Sequence, residues 1–171
     1  MTRRITVTGV MAAVLCIMAP FAIQVGPIPI TLATFGIYVI GALMGAGRGT
    51  VAVIVYLLLG MAGLPVFSGF GGGLQRIVGT TGGYLIGYIP CVFITGLIIE
   101  RFRNKMPVYF IAMLLGTAVL YATGTVWYMR QTGNSFGAAL AVCVVPFLLG
   151  DSIKIIMASV LTYELNKRLR L

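Results

Sequence analysis

Long apolar stretches alternate along the chain with short breaks rich in glycine, proline or charge. Charged residues are rare within these stretches and gather near their ends. Apolar runs of about 20 residues can cross a bilayer as helices, because a helix satisfies its own backbone polar groups. The pattern predicts six transmembrane helices, at about residues 5–24, 30–45, 49–63, 82–100, 106–129 and 137–165.

The predicted breaks contain residues that end helices or allow unusual backbone. Pro27 and Pro29 prevent a helix from continuing through "GPIPIT", because proline has no backbone N–H to donate. The stretch "SGFGGGLQRIVGTTGG" (68–83) holds seven glycines in sixteen residues. Glycine permits close backbone approach, so this stretch is predicted to form a lid over a site that faces outside. A merely flexible connection is the alternative, although Phe67 and Phe70 favour the lid because they could contact a ligand.

Composition restricts the chain to the class of integral membrane proteins. Hydrophobic residues make up 60% of it and charged residues only 9%, whereas soluble domains carry about 25% charged residues. We therefore predict one all-α membrane domain over residues 1–171. Its three cysteines, Cys16, Cys91 and Cys143, are far apart and histidine is missing from the sequence, so neither a metal site nor a cofactor is expected.

The basic residues predict the orientation of the helices. With the N-terminus inside, nine lie on the cytoplasmic side, namely Arg3, Arg4, Arg48, Arg101, Arg103, Lys105, Lys167, Arg168 and Arg170, and two, Arg76 and Arg130, lie outside. Basic residues near helix ends favour the cytoplasmic side, so both termini are predicted there, in a multi-pass protein of the cell membrane. The net charge of +9 is scattered rather than clustered, which argues against nucleic-acid binding.

Two charges lie within an apolar run, in "PFLLGDSIKIIMA" (146–158). Asp151 and Lys154 are three residues apart and share one face of a helix. A lone charge at the bilayer centre costs at least ~2.5 kcal/mol, so such residues are usually paired or functional. The pair could lock the helix bundle, or it could bind a small, mostly apolar ligand with polar ends. The nearby "TGGY" and the glycine-rich stretch favour the ligand, while Glu100 and Glu164 lie too far out to form a proton relay.

Four motifs together resemble those of a known family. They are "GPIPITLATF", "YLLLGMAGLPVFSGFGGGL", "GTTGGYLIGYIP" and "PFLLGDSIKIIMA", which occur in this order and cover nearly the whole chain. The chain resembles the BioY family, the biotin-specific substrate-binding subunits (S components) of energy-coupling factor (ECF) transporters. The resemblance implies a six-helix subunit that binds biotin from outside, beneath its first and third loops.

The resemblance also implies which residues bind biotin. Asp151 and Lys154 match the family's D-x-x-K, which contacts polar groups of biotin, and Tyr84 with Gly82 and Gly83 matches its "TGGY". Thr31 lies in the "PIT" element of the first loop, and Phe67 is the candidate apolar contact from the third. Two departures, Thr80 where the family often has proline and Ala33 where it often has glutamine, leave the donors to the biotin carboxylate unassigned.

Partners follow from the same resemblance. It implies vitamin uptake by an ABC transporter in which this subunit does no chemistry and joins a transmembrane T component and two cytoplasmic ATPases. Gly9 and Ala13, four residues apart, could form the small-residue surface that docks on the T component, or could pack within this subunit.

Other functions are less well supported by the residues. The chain could serve another small vitamin, or transport alone without ATPases. A membrane enzyme with Asp151 as acid or base would lack a nucleophile–base pair. A purely structural protein would leave the buried charges and the glycine-rich stretch unexplained.

Overall fold

A computed structural model describes residues 2–24, 27–102 and 105–169, with the side chains of residues 2, 3 and 169 excepted. The regular structure of the described residues is helical apart from one two-stranded hairpin and an isolated bridge between Phe67 and Gly71. Its elements, in order, are α1 (Thr2–Met18), β1 (Ala22–Ile23), β2 (Ile30–Thr31), α2 (Ala33–Met61), a 3₁₀ turn (Ser68–Phe70), α3 (Leu74–Val78), α4 (Gly82–Arg101), α5 (Met106–Thr132), α6 (Phe136–Cys143) and α7 (Val145–Leu169).

The helix α2 reverses direction at Gly45. This residue has φ 76° and ψ −177°, a backbone conformation that glycine adopts readily and residues with a Cβ rarely adopt. A Cβ on Gly49 would lie 3.5 Å from the Cα of Gly41, whereas eight residues of straight helix would separate them by about 12 Å. The residues before the reversal (the first arm, 33–44) therefore fold back against those after it (the second arm, 46–61). This agrees with the predicted division at "GAGRG".

Among the described residues, four helices are long and apolar enough to span a membrane, namely Ala33–Met61, Gly82–Arg101, Met106–Thr132 and Val145–Arg168, and a shorter apolar helix covers Arg4–Met18. Glycines bring neighbouring helices close. A Cβ on Gly83 would lie 2.2 Å from the Cβ of Trp127, and one on Gly96 would lie 2.5 Å from the nitrogen of Ala46. Small residues at such contacts let membrane helices pack closely, which joins α4 to α5 on one side and to α2 on the other.

Two predicted helix boundaries were wrong. The first helix ends at Met18 rather than near residue 24, because Pro20 disfavours helical backbone at the residue before it. The sixth is two helices that meet at Val144, whose φ is −124°. Pro146 explains this break, since it has no N–H for a helical hydrogen bond and its ring clashes with the carbonyl four residues before it.

The loops at one end of the bundle contact each other. In the first loop (19–32), Ala22 pairs with Thr31 and Ile23 with Ile30. The glycine-rich loop (62–81) joins it through the amide of Gly69, which donates to the carbonyl of Pro20 at 2.9 Å. Trp127 of α5 holds the far side of that loop, because its indole Nε1 donates to the carbonyl of Gly79 at 2.9 Å.

Topology was predicted partly from residues that the structure leaves out. Arg103 and Arg170 lie outside the described residues, as does the side chain of Arg3. The other basic residues assigned to the cytoplasmic side occur near the ends of helices. Arg48 follows the reversal in α2, and Arg101 ends α4.

Candidate functional site

A cavity lies beneath the two loops. It holds about 530 Å³ of empty space, including its opening. The first loop, the glycine-rich loop and the helices α2, α4, α5 and α7 contribute to its wall. The wall consists of Ile28, Pro29, Thr31, Thr34, Phe67, Ser68, Arg76, Thr81, Tyr84, Leu85, Tyr88, Leu120, Phe147, Asp151 and Lys154.

Asp151 and Lys154 form an ion pair on this wall. The ammonium Nζ of Lys154 donates to Oδ1 of Asp151 at 2.9 Å. The side chain of Lys154 is 13% exposed and that of Asp151 is 4% exposed. They project from the second and third turns of α7, at the spacing that puts both on one helix face. The prediction that these charges meet inside the bundle is confirmed by the geometry.

The pair is embedded in a network that reaches three other segments. Lys154 also donates to the carbonyl of Thr31 at 2.7 Å and to Oγ1 of Thr34 at 3.0 Å. The Thr34 hydroxyl donates to Oδ1 of Asp151 at 3.2 Å, and Tyr121 donates to its Oδ2 at 2.8 Å. All three donors of the ammonium group are thus used, while Oδ2 keeps capacity for one more donor. The network both ties α7 to α2 and α5 and lines the cavity, so the two explanations offered by the sequence are compatible.

Tyr84 lies on the wall because the last helix is broken. Without the break, the carbonyl of Cys143 would accept the amide of Phe147, but that amide bonds to Val144 instead. The hydroxyl of Tyr84 donates to the freed carbonyl of Cys143. Its ring centroid is 6.0 Å from that of Phe147, and together the rings form an apolar face of the cavity.

Gly82 and Gly83 lie behind the cavity rather than on its wall. A Cβ on Gly82 would lie 1.7 Å from the carbonyl oxygen of Ile77, and one on Gly83 would overlap Trp127. Both glycines let the start of α4 approach the neighbouring segments, which positions Tyr84. Their contact with substrate remains a prediction.

The two loop residues singled out from the sequence, Thr31 and Phe67, reach the cavity from different loops. Thr31 lines it and supplies the carbonyl that Lys154 contacts, while its hydroxyl accepts from the Ala33 amide at 3.1 Å. Phe67 is 1% exposed and packs edge-on against Tyr56, with centroids 5.6 Å apart. Gly60 leaves room for this ring. Phe67 thereby anchors the glycine-rich loop to α2 while lining the cavity.

Arg76 supplies a second positive charge at the cavity. Its guanidinium lies against Gly71, where a Cβ would come within 2.6 Å of Nε. The side chain is exposed and, within the described ranges, makes no ion pair or hydrogen bond. An uncompensated guanidinium at a cavity mouth can bind a carboxylate through two parallel hydrogen bonds.

The sequence did not single out Thr34, Tyr88, Phe147 or Thr81 for the site. Thr34 contacts a residue 117 positions away, so no local pattern reveals its role. Its spacing of three from Thr31, at the start of a helix, is the one available signal. Among the other aromatic residues, Trp127 and Tyr128 do not line the cavity, whereas Tyr121 acts through Asp151.

Two small residues of α1 lie outside the core of the bundle. Gly9 and Ala13 are both exposed, and a Cβ on Gly9 would meet nothing within 4 Å. They are therefore free to contact a partner or lipid. Docking on a T component remains a prediction.

The arrangement is suited to binding. Among the described residues, no three histidine, cysteine or acidic side chains lie close enough to hold a metal. The cavity combines one charged pair, a separate guanidinium and apolar walls, which fits a ligand with polar groups at both ends.

Comparison with known proteins decides the family. A family model described as the BioY family matches residues 1–171. This chain belongs to the BioY family. The biotin transporter BioY of Thermotoga maritima is 36% identical over 165 residues, covering 96% of both chains. That of Rhodobacter capsulatus is 38% identical over 172 residues, covering 92% of this chain and 90% of the relative.

The fold agrees with this membership. The crystal structure of the S-component for biotin from an ECF-type ABC transporter superposes with a TM-score of 0.90. Sequence identity is 30%, and the match covers 97% of this chain and 92% of that one. The resemblance seen in the sequence is confirmed. As a BioY-family member, the chain is a multi-pass membrane transport protein rather than an enzyme.

Proposed function

We propose that this chain captures biotin at the outer face of the cell membrane and carries it inward as the S component of an ECF-type transporter. The observation that carries the proposal is the Asp151–Lys154 pair on the wall of a cavity beneath two contacting loops, in a chain of the BioY family.

Asp151 is the proposed acceptor for the fused rings of biotin. These rings carry two N–H donors and one carbonyl. Because Tyr121 supplies the single hydrogen bond to Oδ2 from the described residues, a ligand N–H can bind that oxygen without displacing any of their contacts. The ring carbonyl then lies toward Lys154, which can exchange one of its contacts with the backbone or Thr34.

The remaining cavity wall suits the rest of the molecule. Leu85, Leu120 and the Tyr84–Phe147 face offer apolar contact to the thioether and the alkyl chain. Phe67 and Thr31 would close the site from the loops. The free guanidinium of Arg76 is the proposed partner of the biotin carboxylate.

The membrane topology proposed for this function has six crossings within one domain, residues 1–171. Support comes from the reversal at Gly45, which makes two crossings of α2, together with α1, α4, α5 and the α6–α7 pair. Both termini would lie in the cytoplasm and the cavity would face outside, as the distribution of basic residues indicates.

We further propose that a T component and two cytoplasmic ATPases energise this subunit, and that the T component docks on Gly9 and Ala13. Both are exposed on α1. Replacing either with leucine should prevent co-purification with the T component while biotin binding persists. Val14→Leu, also exposed on α1 but on another side of it, is the matched control. A complex that forms normally with the Gly9 and Ala13 variants would refute this docking surface.

Calorimetric titration of the purified subunit with biotin tests the central proposal. Wild type should bind tightly, and Asp151→Asn should lose about tenfold to a hundredfold in affinity, as expected when one buried hydrogen-bond partner is changed. Glu164→Gln makes the same chemical change on an exposed residue of the same helix and should bind normally. If folded wild type binds a different vitamin but not biotin, the substrate assignment is wrong; normal biotin binding by Asp151→Asn would make the pair purely structural.

A further inference from the structure

A second large concave surface lies at the end of the bundle opposite the cavity. It is a groove between α1 and the second arm of α2, with about 880 Å³ of empty space including its open side. Its lining consists of Arg4, Ile5, Thr8 and Gly9 from α1 and Gly47, Arg48, Val51 and Val55 from α2. The reversal at Gly45 places the arginine end of this groove away from Thr34, at the start of the first arm, and from Phe67, which packs against Tyr56 of the second arm.

The floor of the groove is open because two glycines lie along it. A Cβ on Gly9 or on Gly47 would meet nothing within 4 Å. Ile5, Val51 and Val55 make the walls apolar. Such a surface, in a chain that spans the membrane, is suited to hold one hydrocarbon chain against the protein.

Charge makes the groove selective. Arg4 and Arg48 are both exposed and line the same groove, and within the described part of the chain neither has an ion-pair partner. The sequence holds three acidic residues, and none of them lines the groove: Asp151 pairs with Lys154, Glu100 lies against Gly45 and Glu164 lies on α7. Two uncompensated guanidinium groups beside an apolar channel complement a phosphate that carries acyl chains.

We propose that this groove binds an anionic phospholipid, with its headgroup phosphate between Arg4 and Arg48 and one acyl chain along Gly9 and Gly47. The proposed topology puts these arginines at the cytoplasmic leaflet, where anionic headgroups attract basic residues. A protein that docks on Gly9 would displace the lipid, so the lipid is proposed to bind the subunit when no partner protein occupies this surface.

Native mass spectrometry of the purified subunit tests this site. The protein is equilibrated with equal amounts of dioleoylphosphatidylglycerol and dioleoylphosphatidylcholine, which differ only in headgroup. Wild type should retain the glycerol lipid over the choline lipid by about thirtyfold, because each of the two basic residues favours an anionic headgroup by about fivefold. Arg4→Gln combined with Arg48→Gln should remove this preference.

Matched variants separate the groove from general surface charge. Arg101→Gln combined with Lys105→Gln removes two exposed basic residues that do not line the groove, and should keep the preference. Gly47→Leu fills the floor and should reduce retention of the anionic lipid. Biotin affinity should be unchanged in all these variants, which distinguishes a failure here from a failure of the proposed function.

Three outcomes would overturn the proposal. An equal loss of preference in the Arg101 and Lys105 variant would show unspecific charge attraction. Competition by soluble glycerol 1-phosphate as strong as that of the lipid would show a simple anion site. A Gly47→Leu variant that keeps the lipid preference but no longer co-purifies with the T component would show that the groove serves protein docking alone.

Discussion

Lys154 and Arg76 bring two positive charges to the same cavity, but they differ in burial and in their hydrogen-bond partners. The ammonium of Lys154 uses all its donors on Asp151, Thr31 and Thr34 and is largely buried. The guanidinium of Arg76 is exposed and, among the described residues, has no polar partner. The first charge is part of the folded structure before any ligand arrives, whereas the second is available to a ligand. The difference separates residues whose loss should affect both folding and binding from those whose loss should affect binding alone.

The largest effect is expected from Lys154→Met. It leaves the Asp151 carboxylate buried without its counter-ion, which typically costs ~3–5 kcal/mol of stability. The variant should have a markedly lower thermal unfolding midpoint, measured in detergent by circular dichroism, and should not bind biotin. Combining it with Asp151→Asn should recover much of the stability but not the binding. If Lys154→Met alone unfolds like wild type, the pair does not stabilise the bundle.

Arg76→Gln, unlike Lys154→Met, should weaken binding without lowering stability. Because its guanidinium has no polar partner among the residues that the structure describes, the unfolding midpoint should stay unchanged while biotin affinity falls by about tenfold, the loss expected for one charge-assisted hydrogen-bonding partner. Biotin amide, which lacks the negative charge, should bind wild type and variant equally. Arg130→Gln, exposed and not on the cavity wall, serves as control. A loss of biotin amide affinity as large as that of biotin would place Arg76 elsewhere than at the carboxylate.

Tyr121→Phe should have a smaller effect. It removes one hydrogen bond to Oδ2 of Asp151 and leaves the ion pair intact. Biotin affinity should fall roughly fivefold, corresponding to ~1 kcal/mol for a single hydrogen bond. Isothermal titration against wild type measures this loss. An unchanged affinity would mean that the ligand itself replaces the tyrosine at this oxygen.

The smallest expected effect is that of ionic strength. Exposed charges are screened over a Debye length of about 10 Å at 0.1 M salt, whereas buried pairs are screened much less. Raising salt from 0.05 to 0.5 M, about a threefold change in Debye length, should weaken biotin binding by roughly twofold in wild type and leave Arg76→Gln unaffected. A salt dependence that persists in the variant would come from charges other than Arg76.

Sequence alone identified the site residues whose type is unusual for a membrane helix or that belong to a family motif. Asp151 and Lys154 stand out because charges are rare in apolar helices, and Tyr84 stands out through the family motif. Thr34 could not be identified, since threonine is common in membrane helices and its partner is remote in the chain. The acceptor of Tyr84 was also hidden, because the carbonyl of Cys143 is freed by a local break that depends on Pro146.

Helices were predicted where the apolar pattern was long, and their ends were predicted less well. The division of α2 at "GAGRG" could be predicted because glycine and arginine interrupt the apolar run. The first helix was extended past Pro20, and the break at Val144 was missed, although a proline follows each of these points closely. In both places hydrophobicity continues through the break, so periodicity alone gave no boundary. Proline geometry was the stronger signal.

The bond between Trp127 and the carbonyl of Gly79 makes the glycine-rich loop visible by spectroscopy. Trp127 is the chain's single tryptophan, so the emission excited at wavelengths that tyrosine does not absorb comes from an indole held to this loop. Its emission wavelength depends on the polarity around the ring and on that hydrogen bond. Any movement of the loop away from α5 therefore changes the colour of the emitted light, and loop position can be followed during binding without attaching a label.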